Sequence, residues 1–218
     1  MAKKRQALAL LEPILIDTFG LERLVPPQPI LSEWLDAVGT IEPENQIIIN
    51  KIVANIIANG DSWNEEELKM KFISHVIYMA EFNTPINTYY DREISAMIGD
   101  VFMSCKSDMM LSKGTGGLIK TPYFFLHEYK REKKYSGDPI GQMLGAMLIA
   151  QANNNNGKPL YGCYVQGRFW RFIVLDGLNY VFSAPLVGDT DDIFDILRVF
   201  KALRHEIENG YFSQSAVV

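Results

Sequence analysis

The chain reads LIKTPYFFLHEYK from Leu118 to Lys130. An apolar run of this length predicts a β-strand, in which successive side chains point to opposite faces of a sheet. Glu128 and Lys130 are therefore expected on one face. Phe124 and Leu126 fall on that same face. A carboxylate beside an ammonium suits the binding of a divalent metal and the placement of a water next to a phosphodiester. The alternative is an ordinary strand end that turns polar where it reaches solvent.

The composition is typical of a folded globular protein. At 218 residues, with 48% hydrophobic and 22% charged content, the chain is long enough to bury a substantial core and predicts one domain with an extension. Cys105 and Cys163 form no CxxC pair and are interpreted as reduced, packed thiols. The run after Met1–Arg5 is interrupted by acidic residues and proline, and no apolar stretch reaches the length of a membrane span. We therefore expect a soluble, cytoplasmic protein with no membrane partner.

Charge is unevenly distributed along the chain. A net charge of −5 argues against a basic surface that binds nucleic acids indiscriminately. Basic residues nevertheless cluster after the strand, and a further lysine opens the glycine-rich segment 113–117. These residues are Arg131, Lys133, Lys134 and Lys113. They are candidate contacts to nucleic-acid phosphates, and a solvated run of charge is the alternative. Segment 113–117 lacks the full Walker spacing and predicts a hairpin connection instead.

Helical patterns come first along the chain and strand patterns follow. Apolar spacing predicts helices over residues 6–19 and 43–59, and Ser62-Trp63-Asn64-Glu65 matches a capping box that opens another helix. The patterns after this helix predict, in chain order, strands at 89–97, 100–111 and 118–130, a helix from Asp138-Pro139, strands at 160–165, 169–175 and 178–184, and a last helix over 191–209. This order predicts an α/β (α+β) fold.

The element order and the residues it carries resemble the PD-(D/E)XK nuclease superfamily over roughly residues 62–184. The resemblance rests on three segments, which are Asn64-Glu65-Glu66-Glu67-Leu68-Lys69, Cys105-Lys106-Ser107-Asp108 and Phe125-Leu126-His127-Glu128-Tyr129-Lys130. A fourth element is the helix with Gln142 and Gln151, which is similar to the glutamine-bearing helix of many members. Ser107 stands where the family name has proline.

The resemblance implies a restriction-endonuclease-like core, which is a central mixed β-sheet flanked by helices. We expect this core over residues 61–218. Residues 1–60 are expected to form an N-terminal helical extension that packs on it, since no convincing linker separates two globular units.

The resemblance also implies a site. Asp108, Glu128 and Glu65 are expected to bind Mg²⁺, or Mn²⁺ in its place, with the main-chain carbonyl of Tyr129 and waters completing the shell. Lys130 is expected to position the attacking water or to neutralise charge that develops on the phosphate. The expected reaction is metal-dependent hydrolysis of nucleic-acid phosphodiesters, in DNA rather than RNA on family grounds.

The residues alone leave several assignments open. Glu65 lies on the apolar stripe of its helix, but Glu66 and Glu67 compete for the role of helical acid, and Glu65 also suits the capping box. Gln142 is a candidate for orienting a catalytic group or contacting the nucleic-acid backbone, and is otherwise a polar residue in the first turns of a helix. A non-catalytic nucleic-acid-binding or protein-interaction module is the alternative function. A homodimer or a protein partner is also open.

Overall fold

A computed structural model describes residues 8–36, 39–130 and 138–211 of the chain. Within them the helices are α1 (Glu12–Phe19), α2 (Pro29–Leu35), α3 (Pro43–Asn59), α4 (Glu65–Leu68), α5 (Ser74–Met79), α6 (Pro139–Asn154) and α7 (Asp192–Tyr211). A 3₁₀ turn (Gly60–Ser62) precedes α4, and a π-helix (Lys69–Ile73) joins α4 to α5. The strands are β1 (Glu22–Arg23), β2 (Ile86–Ile98), β3 (Val101–Thr115), β4 (Leu118–Lys130), β5 (Leu160–Gln166), β6 (Phe169–Asp176), β7 (Asn179–Phe182) and β8 (Leu186–Val187). The predicted mixed α/β architecture, with a central sheet flanked by helices, is confirmed.

The strands form one mixed sheet in the order β1-β7-β6-β5-β4-β3-β2, with β8 paired to β6. The consecutive strands β2, β3 and β4 are antiparallel neighbours. Strand β5 is parallel to β4, so the chain must cross over between them, and α6 lies in that crossover. The sheet therefore has a meander at one end and a βαβ unit at its centre.

Two hydrophobic cores cover the two faces of the sheet. On one face, α2, α3, α5 and α7 surround an aromatic centre in which Phe200 contacts the rings of Phe125 and Phe172 at 5.5 and 5.6 Å between centroids. On the other face, α1 and the Met- and Ala-rich α6 cover the sheet. No helix in the described ranges is both long and apolar enough to cross a bilayer.

The described N-terminal residues belong to these same layers. The indole of Trp34 in α2 donates a 2.9 Å hydrogen bond to the carbonyl of Val199 in α7. Strand β1 pairs in parallel with β7, so this region contributes a strand as well as the predicted helices. The carboxylate of Asp138 caps α6 through the N–H of Gly141 at 3.0 Å and also accepts the N–H of Glu12 at 2.7 Å. That double contact holds the start of α6 against α1.

The start of the helix after residue 60 differs from the prediction. The capping box is formed by Asn64 and Glu67, at 2.9 and 3.1 Å, and not by Ser62 and Glu65. Ser62 ends a 3₁₀ turn and donates to the carbonyl of Asn59 at 2.7 Å. Because that turn extends the loop, the helix begins two residues later than the Ser62 cap would place it.

A β-bulge in β4 corrects the expected face of Phe124. Tyr123 pairs with Ser112 and Phe125 pairs with Leu111, so Phe124 is an extra residue between two regular pairs. Phe124 packs in the same cluster as Phe125, on the α7 side of the sheet. The expectation that Phe124 shares a face with Glu128 is therefore wrong. The side chain of Leu126 lies outside the described residues.

Candidate active site

Asp108 lies where β3 and β4 separate. The ladder between these strands ends at the pair Met109 and His127. One step further, the N–H of Tyr129 donates a 2.8 Å hydrogen bond to Oδ2 of Asp108 in place of a main-chain partner. In a strand the N–H and C=O of one residue face the same side. The carbonyl of Tyr129 therefore also faces the gap that Asp108 occupies.

Glu128 and Lys130 lie beside this gap and contact each other. Nζ of Lys130 donates a 2.8 Å hydrogen bond to Oε1 of Glu128, and the same Nζ lies 4.0 Å from Oε1 of Glu65 at the start of α4. The side chain of Glu128 is only 8% exposed and that of Lys130 is 16% exposed, whereas Glu65 is 49% exposed. Lys130 thus bridges one buried and one solvated carboxylate.

Electrostatics show that this cluster carries excess negative charge. The pKa of Glu128 is raised from its ordinary value of 4.5 to about 7, first by burial and then by the charge of Asp108, and the hydrogen bond from Lys130 limits the rise. Burial alone would lower the pKa of Lys130, but the hydrogen bond and charge of Glu128, together with the charges of Asp108 and Glu65, outweigh burial and raise the pKa. Lys130 therefore stays charged at neutral pH, whereas Glu128 is poised to gain or lose a proton.

Gln142 lies at the same level of the sheet as Glu128. Asn154, at the end of α6, exchanges two 2.7 Å hydrogen bonds with the main chain of Tyr123. Gln142 is 12 residues before Asn154, about 18 Å along a helix, and Glu128 is five residues after Tyr123, about 16 Å along a strand. Oε1 of Gln142 is buried and has no hydrogen-bond partner within the described residues.

The three glutamates of α4 have different partners. Glu67 closes the capping box and pairs with Lys71 at 2.7 Å. Glu66 is 70% exposed and lies 3.8 Å from Lys69. Glu65 is the one within 4.0 Å of Lys130. Of the three candidates for the helical acid, Glu65 is thus the one that contacts the cluster.

Of the predicted nucleic-acid contacts, Lys113 lies within the described residues. Lys113 is exposed near the end of β3, opposite Lys120, and about 16 Å along the strand from Asp108. It therefore stands apart from the acidic cluster. Three other predicted contacts lie outside the described residues, namely Arg131, Lys133 and Lys134.

Residues on β2 join the site without having been predicted. Tyr90 pairs with Met109 and Arg92 pairs with Ser107, so Asp91 and Asp108 lie between these two pairs without pairing with each other. The backbone of Asp91 is left-handed, with φ of 54°, and its carboxylate lies 3.7 Å from Lys69 and 3.4 Å from Lys106. The sequence signal for Asp91 was weak, because a single aspartate is common in a strand that becomes polar at a protein surface.

The donor set fits Mg²⁺ although it is small. Within the described residues, no group of three or more His, Cys, Asp or Glu side chains is arranged to hold a metal ion. Mg²⁺ commonly uses one or two carboxylates, with waters and substrate phosphates completing its shell. Asp108, Glu128 and the carbonyl of Tyr129 meet that requirement. The raised pKa of Glu128, caused by burial and then by Asp108, indicates negative charge that a cation would compensate.

Comparisons with protein-family models and with curated proteins identify no relative. No protein-family model matches the chain, and no curated protein matches it. The chemistry of this protein must therefore be inferred from the cluster of Asp108, Glu128 and Lys130 and from the elements that position it.

Proposed function

We propose that this protein is a Mg²⁺-dependent nuclease that hydrolyses phosphodiester bonds, with DNA preferred to RNA, on a PD-(D/E)XK core. The observation that carries the proposal is the buried pair of Glu128 and Lys130, 2.8 Å apart, beside the carboxylate of Asp108. Two electrostatically coupled carboxylates can hold a divalent metal that activates water for phosphodiester hydrolysis, and a lysine beside them can stabilise the charge that develops on the phosphate.

The topology supports the proposal. A helix bearing Glu65 precedes three antiparallel strands, of which the second carries Asp108 and the third carries Glu128 and Lys130. Helix α6 then crosses over to a strand parallel to the third. This is the order in which the motifs of the PD-(D/E)XK superfamily were expected, and it explains why residues distant in sequence meet at one strand end.

Each side chain has a definable task. Asp108, Glu128 and the carbonyl of Tyr129 would hold Mg²⁺, which when bound lowers the pKa of a coordinated water and polarises the phosphate. Lys130, kept charged by Glu128, stabilises negative charge that develops on the phosphate oxygens. Glu65, which lies 4.0 Å from Lys130, would accept a hydrogen bond from water at the edge of the cluster, and Gln142 would orient a catalytic group with its unpaired Oε1.

Single-turnover cleavage tests the proposal. Wild type, Lys130→Ala and Lys120→Ala are compared on a panel of DNA and RNA substrates in Mg²⁺ or Mn²⁺ at one fixed salt concentration. Lys120 is an exposed lysine on the same strand, so it is a matched control. We expect Lys130→Ala to cleave on the order of a hundredfold more slowly, the scale of losing one preorganised electrostatic contact. Lys120→Ala should cleave at nearly the wild-type rate.

Two outcomes would contradict the proposal in different ways. If wild type binds a nucleic acid but cleaves none of the substrates, the protein is a binding module. If wild type cleaves and folded Lys130→Ala cleaves equally fast, the protein is a nuclease but the role given to Lys130 is wrong.

A further inference from the structure

Arg171 on β6 lies in the same row of the sheet as Glu128. Glu128 pairs with Tyr164 of β5, and Tyr164 in turn pairs with Arg171. Residues paired across strands project from one face, and Tyr164 packs in the core on the α6 side. Since neighbouring strands lie about 4.8 Å apart, about 10 Å separates the Cα atoms of Glu128 and Arg171. Arg171 therefore stands on the face of the sheet that carries the candidate active site.

Uncharged groups hold the guanidinium of Arg171 in place. Its Nη1 donates a 3.3 Å hydrogen bond to the hydroxyl of Tyr164, and its Cζ lies 6.0 Å from the centre of the Phe182 ring. Its Nε is buried and has no hydrogen-bond partner among the described residues. A guanidinium carries five N–H donors in a planar fork. Most of these donors remain available to a ligand.

The charge of Arg171 has no counter-charge in the described part of the chain. The contacts of its guanidinium there are the hydroxyl of Tyr164 and the ring of Phe182, and neither is a carboxylate. By contrast, the guanidinium of Arg168 lies 2.6 Å from Asp189 and that of Arg204 lies 2.9 Å from Glu81. A partly buried cation without a counter-charge opposes folding unless an anion binds it. Arg171 is thus suited to an anionic ligand.

A phosphate group matches the donors at this position. The planar fork of an arginine binds two phosphate oxygens at once, which the point charge of a lysine cannot do. The hydroxyl of Tyr164 accepts a hydrogen bond from Arg171, so its own proton is free to be donated to a further phosphate oxygen. The separation of about 10 Å from Glu128 is short enough for one nucleic-acid strand to contact both residues.

We propose that Arg171 and the hydroxyl of Tyr164 form a phosphate subsite, which binds one phosphate of a nucleic acid while a neighbouring phosphodiester lies at Asp108 and Glu128. The phosphate belongs either to the interior of the strand or to its end, and both present the same oxygens to the guanidinium. The inference rests on the proposed nuclease function and adds a substrate contact to that site. Arg171 acts by fixing where the strand lies, not in the chemical step.

Fluorescence anisotropy in EDTA measures binding without cleavage. Labelled DNA duplexes of one sequence, with 5′-phosphate, 3′-phosphate or only hydroxyl ends, are titrated over a series of salt concentrations. The proteins compared are wild type, Arg171→Gln, Arg171→Lys and Lys51→Gln. Lys51 is an exposed cation of α3, which covers the opposite face of the sheet, so Lys51→Gln is a matched control for the loss of one positive charge.

We expect Arg171→Gln to weaken binding about tenfold to a hundredfold, the range for losing a hydrogen bond to a charged group. The slope of log K against log salt should become shallower by about 0.9, which corresponds to one phosphate contact. Arg171→Lys should keep the slope but bind less tightly than wild type, because it lacks the fork. Lys51→Gln should match wild type. Equal losses on all duplexes would assign a phosphate inside the strand, and a loss confined to one phosphorylated end would assign a terminal phosphate.

The outcomes separate the phosphate subsite from the proposed activity. The subsite is overturned if wild type binds none of the duplexes, if folded Arg171→Gln keeps the wild-type affinity and slope, or if Lys51→Gln weakens binding equally. If Arg171→Gln does not fold, the affinity of Arg171→Lys decides in the same way. Cleavage by wild type in Mg²⁺ would still support the nuclease after the subsite had failed. If the variants bind as expected and no substrate is cut, the subsite is supported and the nuclease function is not.

Discussion

Replacing Glu128 by glutamine removes a buried carboxylate whose pKa is raised from 4.5 to about 7, first by burial and then by the charge of Asp108. Because the folded state holds this proton more tightly than the unfolded state, ionisation of Glu128 opposes folding. The metal-free protein therefore loses stability as pH rises from 4.5 to 7, and the full penalty is present above pH 7. At about 1.4 kcal/mol per pKa unit, the penalty is about 3 kcal/mol.

The Glu128→Gln variant should avoid that penalty. Glutamine has nearly the same shape as protonated glutamate, so the two proteins should have similar free energies of unfolding at pH 4.5. At pH 8 the variant should be more stable by about 3 kcal/mol, since the pKa of about 7 already includes the favourable hydrogen bond from Lys130.

Urea unfolding in EDTA, followed by tryptophan fluorescence, measures the difference at each pH. Comparing the two proteins at the same pH isolates Glu128 from all other titrating groups. Adding Mg²⁺ at pH 8 should stabilise wild type and leave Glu128→Gln almost unchanged. Parallel pH profiles in EDTA would refute the argument, because the negative charge at Glu128 would then have no unfavourable effect on folding.

Three further predictions concern the metal and the core. Mg²⁺ or Mn²⁺ should raise the melting temperature of wild type, and Asp108→Asn should abolish most of that rise; an unchanged response in the folded variant would place the ion elsewhere. Phe200→Ala should lower the free energy of unfolding in urea by about 3 to 5 kcal/mol, because the ring is fully buried among aromatic neighbours, and a loss under about 1 kcal/mol would contradict that packing. A hydrogen bond from Lys201 is the main cause that lowers the pKa of Glu42 to about 2, so the stability it contributes is lost as pH falls from 4.5 to 2. Glu42→Gln should therefore lower the free energy of unfolding by less than about 1 kcal/mol at pH 7, because Glu42 is half exposed, and by nothing at pH 2. Thermal unfolding compares the two proteins at each pH. A difference that persisted at pH 2 would contradict this.

Sequence patterns predicted the elements best where one signal was strong and local. The apolar run before Glu128 predicted β4 over Leu118–Lys130, which are its observed limits. Proline at a helix start and asparagine-glycine at its end predicted α3 over Pro43–Asn59. Asp138 does cap α6, as Asp-Pro indicated. In these cases the backbone is determined by residues within a few positions of each other.

Features that depend on tertiary contacts were not predictable. The bulge at Phe124 follows from how β4 pairs with β3, and the short β1 exists only because β7 lies beside it. Continuous helical spacing of apolar residues predicted one helix through Phe72, but it does not distinguish an α-helix from one interrupted by a π-turn. The shift of the capping box from Ser62 to Asn64 arises in the same way, since both residues are good caps.

Asp108 and Glu128 come close together because β3 and β4 separate beyond the pair Met109 and His127. No local sequence pattern encodes that separation. Had the ladder continued, a main-chain group of β3 would satisfy the N–H of Tyr129, and the carboxylate of Asp108 would not be required there. Because the strands separate, the carboxylate of Asp108 accepts the N–H of Tyr129 instead, and its charge lies beside Glu128. A repelled, buried carboxylate opposes folding, and so does the unpaired oxygen of Gln142. Unfavourable interactions between two well-packed cores are the pattern expected where a site is retained for function and not for stability.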